Sequence, residues 1–123
     1  MPSYTRFEEL DCYKKCREVR VWVDALIKSN SKIDRDLIQN IRRAARSSTR
    51  NIAEGFGRHH HKENIQFCRI ARGSLHEIFE DLNIMKDENM SDEETLKQGR
   101  ILIAKALKSL NEYIKYLNTL TTK

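Results

Sequence analysis

NIRRAARSSTRNIAEGFGRHHH, residues 40 to 61, decides the fold. With Ile38 just before it, Ile41, Ala45, Ser48 and Ile52 recur at steps of three and four, the spacing that lines residues along one face of an α-helix. Arg42, Arg43, Arg46 and Arg50 occupy the remaining surface, and no acidic residue follows among them until Glu54. Arg42, Arg46 and Arg50 fall one turn apart, where each like-charge pair costs about 0.2 to 0.5 kcal/mol unless something offsets it. The segment is therefore an amphipathic helix whose polar face calls for an anion, either inside the protein or outside it.

The same period extends in both directions. Cys12, Cys16, Val19, Val23 and Leu26 form a stripe before it; Cys68, Ala71, Leu75, Ile78, Leu82 and Met85, then Ile103, Leu107, Leu110, Ile114 and Leu117, form two more after it. Thr5 with Glu8 and Ser91 with Glu94 have capping-box spacing, and Gly55 and Gly57 are placed to end the second helix. The spacing predicts helices near 5–29, 34–55, 62–88 and 91–120. Short connections between long helices make neighbours antiparallel, so the predicted fold is all-α, an antiparallel up-down-up-down four-helix bundle over 1–123 as a single domain.

Composition agrees: 39% hydrophobic and 33% charged residues, with one proline and four glycines, suit a soluble helical chain. No apolar run reaches the length of a membrane span and the start lacks a signal peptide's apolar stretch, so a cytoplasmic location without membrane contact is expected. Cys12, Cys16 and Cys68 all fall on the stripes and read as reduced core residues. Gly73 is inside the third helix with Ser74 beside it, and close helix contact is the expected compensation for its weak helix propensity. Helix one carries Phe7, Leu10, Val21 and Ala25 on a second side, and helix four adds Leu102, Tyr113, Tyr116 and Leu120. One core does not cover both sides, which points to a homo-oligomer; the alternative is an N-terminal turn that folds over.

The net charge of +5 is segregated along the chain. Residues 34–75 carry nine basic and four acidic groups, whereas residues 76–94 carry one and eight. Antiparallel pairing sets Arg50 level with Cys68 and Arg46 level with Arg72, away from the acidic block. Glu77, Glu80 and Asp81 are placed to reach Arg35, Arg42 or Arg43. Arg46, Arg50, Arg58, Lys62, Arg69 and Arg72 stay at the hairpin end with His59, His60 and His61. Arginine's planar fork suits phosphate, so RNA or DNA is the expected partner.

Catalytic motifs are missing: no phosphate-cradling glycine loop, HExxH helix or nucleophile elbow occurs, and no cofactor or catalytic residue is expected. Cys12 and Cys16 are one turn apart, but both belong to the core stripe. The triple histidine reads as a pH-sensitive extension of the basic patch, and no metal site is expected. Arg69 and His76, seven residues apart on one face, resemble the loose signature of the HEPN helical ribonucleases, which keeps a ribonuclease as a third reading.

QNIRRAARSSTRNIAEGFGR (39–58) followed by FCRIARGSLHEI (67–78) resembles the four-helix-bundle family encoded in intervening sequences of bacterial 23S ribosomal RNA genes. The elements IRRAA, NIAEGFGR and A-x-GSL-x-E occur in order. The resemblance implies an antiparallel bundle, often a ring of five copies, with no established enzymatic activity. A related family, the accessory variability determinant of diversity-generating retroelements, implies a basic pentamer that binds nucleic acid and a reverse transcriptase. Arg42, Arg43 and Arg58 are the basic residues the resemblance transfers. Asn51 and Glu54 of NIAEG are expected to fix helix or subunit contacts through hydrogen bonds. The expected function is non-catalytic binding of RNA or DNA through Arg42, Arg43, Arg46, Arg50, Arg58, Lys62, Arg69 and Arg72, with a reverse transcriptase as the accessory partner the resemblance implies; a purely structural oligomer or interaction scaffold is the alternative.

Overall fold

A computed structural model of the chain describes residues 4–121. A short 3-10 turn, Phe7–Glu9, precedes four helices: α1 (Asp11–Ser29), α2 (Arg35–Gly57), α3 (His61–Asp87) and α4 (Glu93–Thr121). Each helix packs on its two neighbours in a closed square, α1 on α2 and α4, α3 on α2 and α4. Neighbours run antiparallel, because pairings rise along one helix as they fall along the next. Across α2 and α3, Asn40 meets Asp81 and Ser47 meets Ser74; across α3 and α4, Asn64 meets Tyr113 and Lys86 meets Glu93. Across α1 and α4, Asp11 accepts from Ser109, while Trp22 packs on Gly99.

The predicted stripes form the core. Ile41, Ile52, Leu75, Ile78, Leu82, Ile103 and Leu110 are fully buried, while Ile38 and Leu107 are only partly so. Cys12, Cys16 and Cys68 are buried free thiols. Burial pushes Cys16 and Cys68 up to about 12 and Cys12 higher still, so none ionises near neutral pH.

Helix ends depart from expectation where a neighbouring side chain made the better cap. Glu9, not Glu8, closes the N-terminal turn, its Oε1 accepting from the Thr5 and Arg6 amides at 3.0 and 2.9 Å. Glu8 turns to the Arg6 guanidinium instead. The turn delays α1 until Asp11 and folds Leu10 into the core, while Phe7 meets the edge of Tyr13 at 5.0 Å. The N-terminal turn thus covers Phe7 and Leu10 on the second side of helix one, as the alternative reading had it, while Val21 and Ala25 stay exposed there. Leu102, Tyr113, Tyr116 and Leu120 likewise pack against the core. Asp92, not Ser91, caps α4 through the Thr95 amide at 2.7 Å.

The glycine readings change as well. Gly55 does not end α2: it is buried inside the helix, where a Cβ would stand 2.7 Å from Asn64 Oδ1 and 2.8 Å from Phe67 Cβ. Gly57 is the last residue of α2, as expected, and the left-handed turn residues are His59 after it, with φ of 53°, and Asn89 after α3, with φ of 57°. Both residue types are enriched in the left-handed region. After Asn89, the Met90 amide donates back to Met85 O at 2.8 Å, and both methionines are buried, the mark of a Schellman end. Gly73 is exposed with open space around its Cα, so it makes no close helix contact within the bundle. That role belongs to Gly55 and Gly99, which receive Phe67 and Trp22.

Candidate nucleic-acid interface

The α2–α3 seam is polar and fixes the helix that carries the arginines. Asn51 Nδ2 donates to the Ser47 carbonyl at 2.8 Å and to Ser47 Oγ at 2.9 Å, and the buried Ser74 hydroxyl lies 2.9 Å from the same Ser47 Oγ. Ser74 therefore ties α3 to α2, while the bonds of Asn51 stay within α2 and hold the Ser47 hydroxyl that Ser74 meets. The same pairing places Ser47 level with Ser74, so Arg46 stands level with Leu75 instead of Arg72, just under one turn from the expected register.

Further along this seam, Asn40 Nδ2 donates to both oxygens of Asp81, at 3.0 and 2.8 Å. Arg43 donates to Asn40 Oδ1 and lies 3.7 Å from Glu77. Of the three arginines expected to meet the acidic block, Arg43 alone does so; among the described residues, no carboxylate is within 4 Å of Arg35 or Arg42. Asp81 is 3% exposed, and burial outweighs the Asn40 bonds to push its carboxyl up to about 6. A raised folded-state value means that this group favours folding below its ordinary value of 3.8 and loses that contribution as pH rises toward 6. Relative to Asp81→Asn, the wild-type chain should lose about 2 to 3 kcal/mol of unfolding free energy between those pH values. Urea denaturation of both proteins across that range checks it, and parallel profiles would contradict it.

The eight cations chosen from sequence do not share one face. Arg58 is engaged inside the chain: its Nε is 3.0 Å from Glu54, its Nη1 3.7 Å from Glu63, and its guanidinium covers the Phe67 ring at 5.1 Å. Glu54 thus anchors Arg58 at the hairpin. Lys62 lines a separate hollow with the three histidines, Leu120 and Thr121. Arg72 donates to Asn111 of α4 at 2.9 Å, and Arg69 is exposed on α3, on the opposite side of the bundle from the α1–α2 seam.

Arg42, Arg46 and Arg50 form a row along α2. Arg42 and Arg46 line a hollow of about 250 Å³ between α1 and α2, with Arg20 facing them from α1. Arg20 was not legible as a site residue. Its Nη1 donates to Thr49 Oγ1 at 2.8 Å, which holds the guanidinium in the seam. Asp24 is the acidic residue lining this hollow, and it is already held by Lys28 at 2.9 Å. That hydrogen bond is the main reason its carboxyl falls below the ordinary range, with Arg42 and Arg46 adding smaller effects. Among the described residues, no carboxylate lies within ion-pair distance of Arg42, Arg46 or Arg50. Three arginines with unspent donors, plus a fourth fixed opposite, can donate to phosphate oxygens from outside.

Among the described residues, no helix is long and apolar enough to cross a membrane, and no group of His, Cys, Asp and Glu is arranged to hold a metal ion. No curated protein matches the chain. The family described as 23S rRNA-intervening sequence protein matches residues 8–112, which takes in α1, α2 and α3 whole and α4 as far as residue 112. By that match over most of its length, the chain belongs to the 23S rRNA-intervening sequence protein family.

Proposed function

We propose that this protein is a non-catalytic, cytoplasmic RNA- or DNA-binding bundle, and that α2 with the facing side of α1 is the binding surface. The observation that carries the reading is the row Arg42, Arg46 and Arg50, which repel one another along α2 and find no carboxylate within ion-pair distance in the described chain. The family description, which names ribosomal RNA, supports an RNA-associated role. Arg69 and His76, the pair on which a ribonuclease reading would rest, both stand exposed on α3, and among the described residues neither side chain makes a hydrogen bond or ion pair that would set up acid–base work. Assembly of several copies, five by the resemblance, and a reverse-transcriptase partner belong to the same proposal. Ile70 and Ile101, 52% and 46% exposed, support self-association.

The test is fluorescence anisotropy with labelled oligonucleotides at low salt. Exchanging Arg46 and Arg50 for glutamine should weaken binding about tenfold, to a similar degree for every sequence, because phosphate contacts carry no base information. Arg43→Gln, which removes a cation already paired with Glu77, should change it far less. Unchanged affinity in the Arg46, Arg50 variant would place the surface elsewhere.

A further inference from the structure

We infer that the α1–α2 seam is a track for a single polynucleotide strand, with phosphates on the arginine row and a base lodged in the hollow beside it. The inference rests on the nucleic-acid reading above and specifies its substrate. Arg42, Arg46 and Arg50 stand about 6 Å apart along α2, four residues at the helical rise, close to the reach of one nucleotide in a stretched strand. Arg20 faces the row from α1 and is fixed by Thr49, so a strand in the seam meets guanidinium groups on both sides. Between them the hollow is apolar at its floor and along one wall: Val23 and Ala45 are buried beneath it, and Ile27 and the half-exposed Val21 border it. Fully charged surroundings would suit phosphate alone; a largely apolar pocket lined also by arginines and by the Lys28-paired Asp24 carboxylate, an acceptor for a base's N–H, suits the flat face and polar edge of a nucleobase as well.

Geometry disfavours a duplex in the same place. A duplex major groove about 12 Å wide admits one helix, whereas this surface is two helices side by side with axes about 8 to 10 Å apart. A duplex would rest across the crests of both helices and leave the hollow empty, because its bases stay stacked inside.

The experiment compares three labelled probes of about twelve nucleotides, a length within the span one small module covers, at matched low salt. They are a single strand, a duplex of the same length, and an abasic strand that keeps sugar and phosphate alone. Uridylate and thymidylate strands are both used, and the tighter one sets the single-strand value. The single strand is expected to bind about tenfold tighter than the duplex and several-fold tighter than the abasic strand, with Val21→Ser narrowing the second difference. A duplex that binds as well or better overturns the track yet leaves the basic surface standing. Equal affinity for abasic and base-bearing strands overturns the lodged base. Absence of binding by every probe overturns this inference and the nucleic-acid reading together.

Discussion

Gly99→Ala is expected to destabilise the bundle by about 1 to 3 kcal/mol, although alanine is the better helix former by about 1 kcal/mol. The reason is the α1–α4 seam, where the Trp22 indole lies directly over Gly99 and occupies the space a Cβ would need. An indole is rigid, so the added methyl either parts the two helices or turns the ring toward water. Trp22 is the one tryptophan in the chain, and its emission therefore reads the site without interference. Gly99→Ala should shift that emission to the red and lower the urea midpoint. Combining it with Trp22→Leu should recover part of the loss, because the two residues contend for one volume and their effects are not additive. A Gly99→Ala protein as stable as wild type, with unmoved emission, would mean that the seam is looser than the structure shows. Gly73→Ala is the control: it meets open space and should gain stability by about the propensity difference.

Replacing Arg42, Arg46 and Arg50 together with glutamine should move affinity and stability in opposite directions. Affinity should fall by about 30-fold at low salt, since each arginine removed deletes about one phosphate contact. Stability should rise by several tenths of a kcal/mol, because two like-charge pairs one turn apart disappear from α2. Unfolding free energy measured beside affinity on the same preparations separates a lost binding surface from a damaged fold. A variant that loses both would show that these guanidinium groups support the fold.

Legibility in the sequence divided along a physical line. Stripes at the helical period give which face of each helix is apolar, and Ile41, Leu75 and Ile103 are buried as the period required. Antiparallel order followed from short connections, which fixed roughly which residues share a level. The period does not fix the hand of the bundle, so side chains flanking a stripe could not be assigned to one neighbour or the other. Arg20 was missed for that reason: its seam partner Thr49 becomes its neighbour once α1 and α2 are set side by side in the observed order. The same gap joined Arg69 and Arg72 to the α2 row, although they face α4 and solvent. Gly55 and Gly99 went unrecognised as contact points because their neighbours, Phe67 and Trp22, come from other helices, while Gly73 carried the same sequence signal with nothing opposite it. At the N-terminus Glu8 and Glu9 were equally placed to cap, and the choice fell to the one whose carboxylate reaches two amides at once.

What most directly tests the claim that α2 presents phosphate-binding arginines is the dependence of single-strand affinity on salt. Each neutralised phosphate contributes about 0.7 to the fall of log affinity with log salt on a single strand, so the row of three predicts a slope of about −2 or steeper. In the triple glutamine variant the slope should be shallower by about the same amount. Affinity that does not respond to salt, or a slope that the variant leaves unchanged, would contradict it.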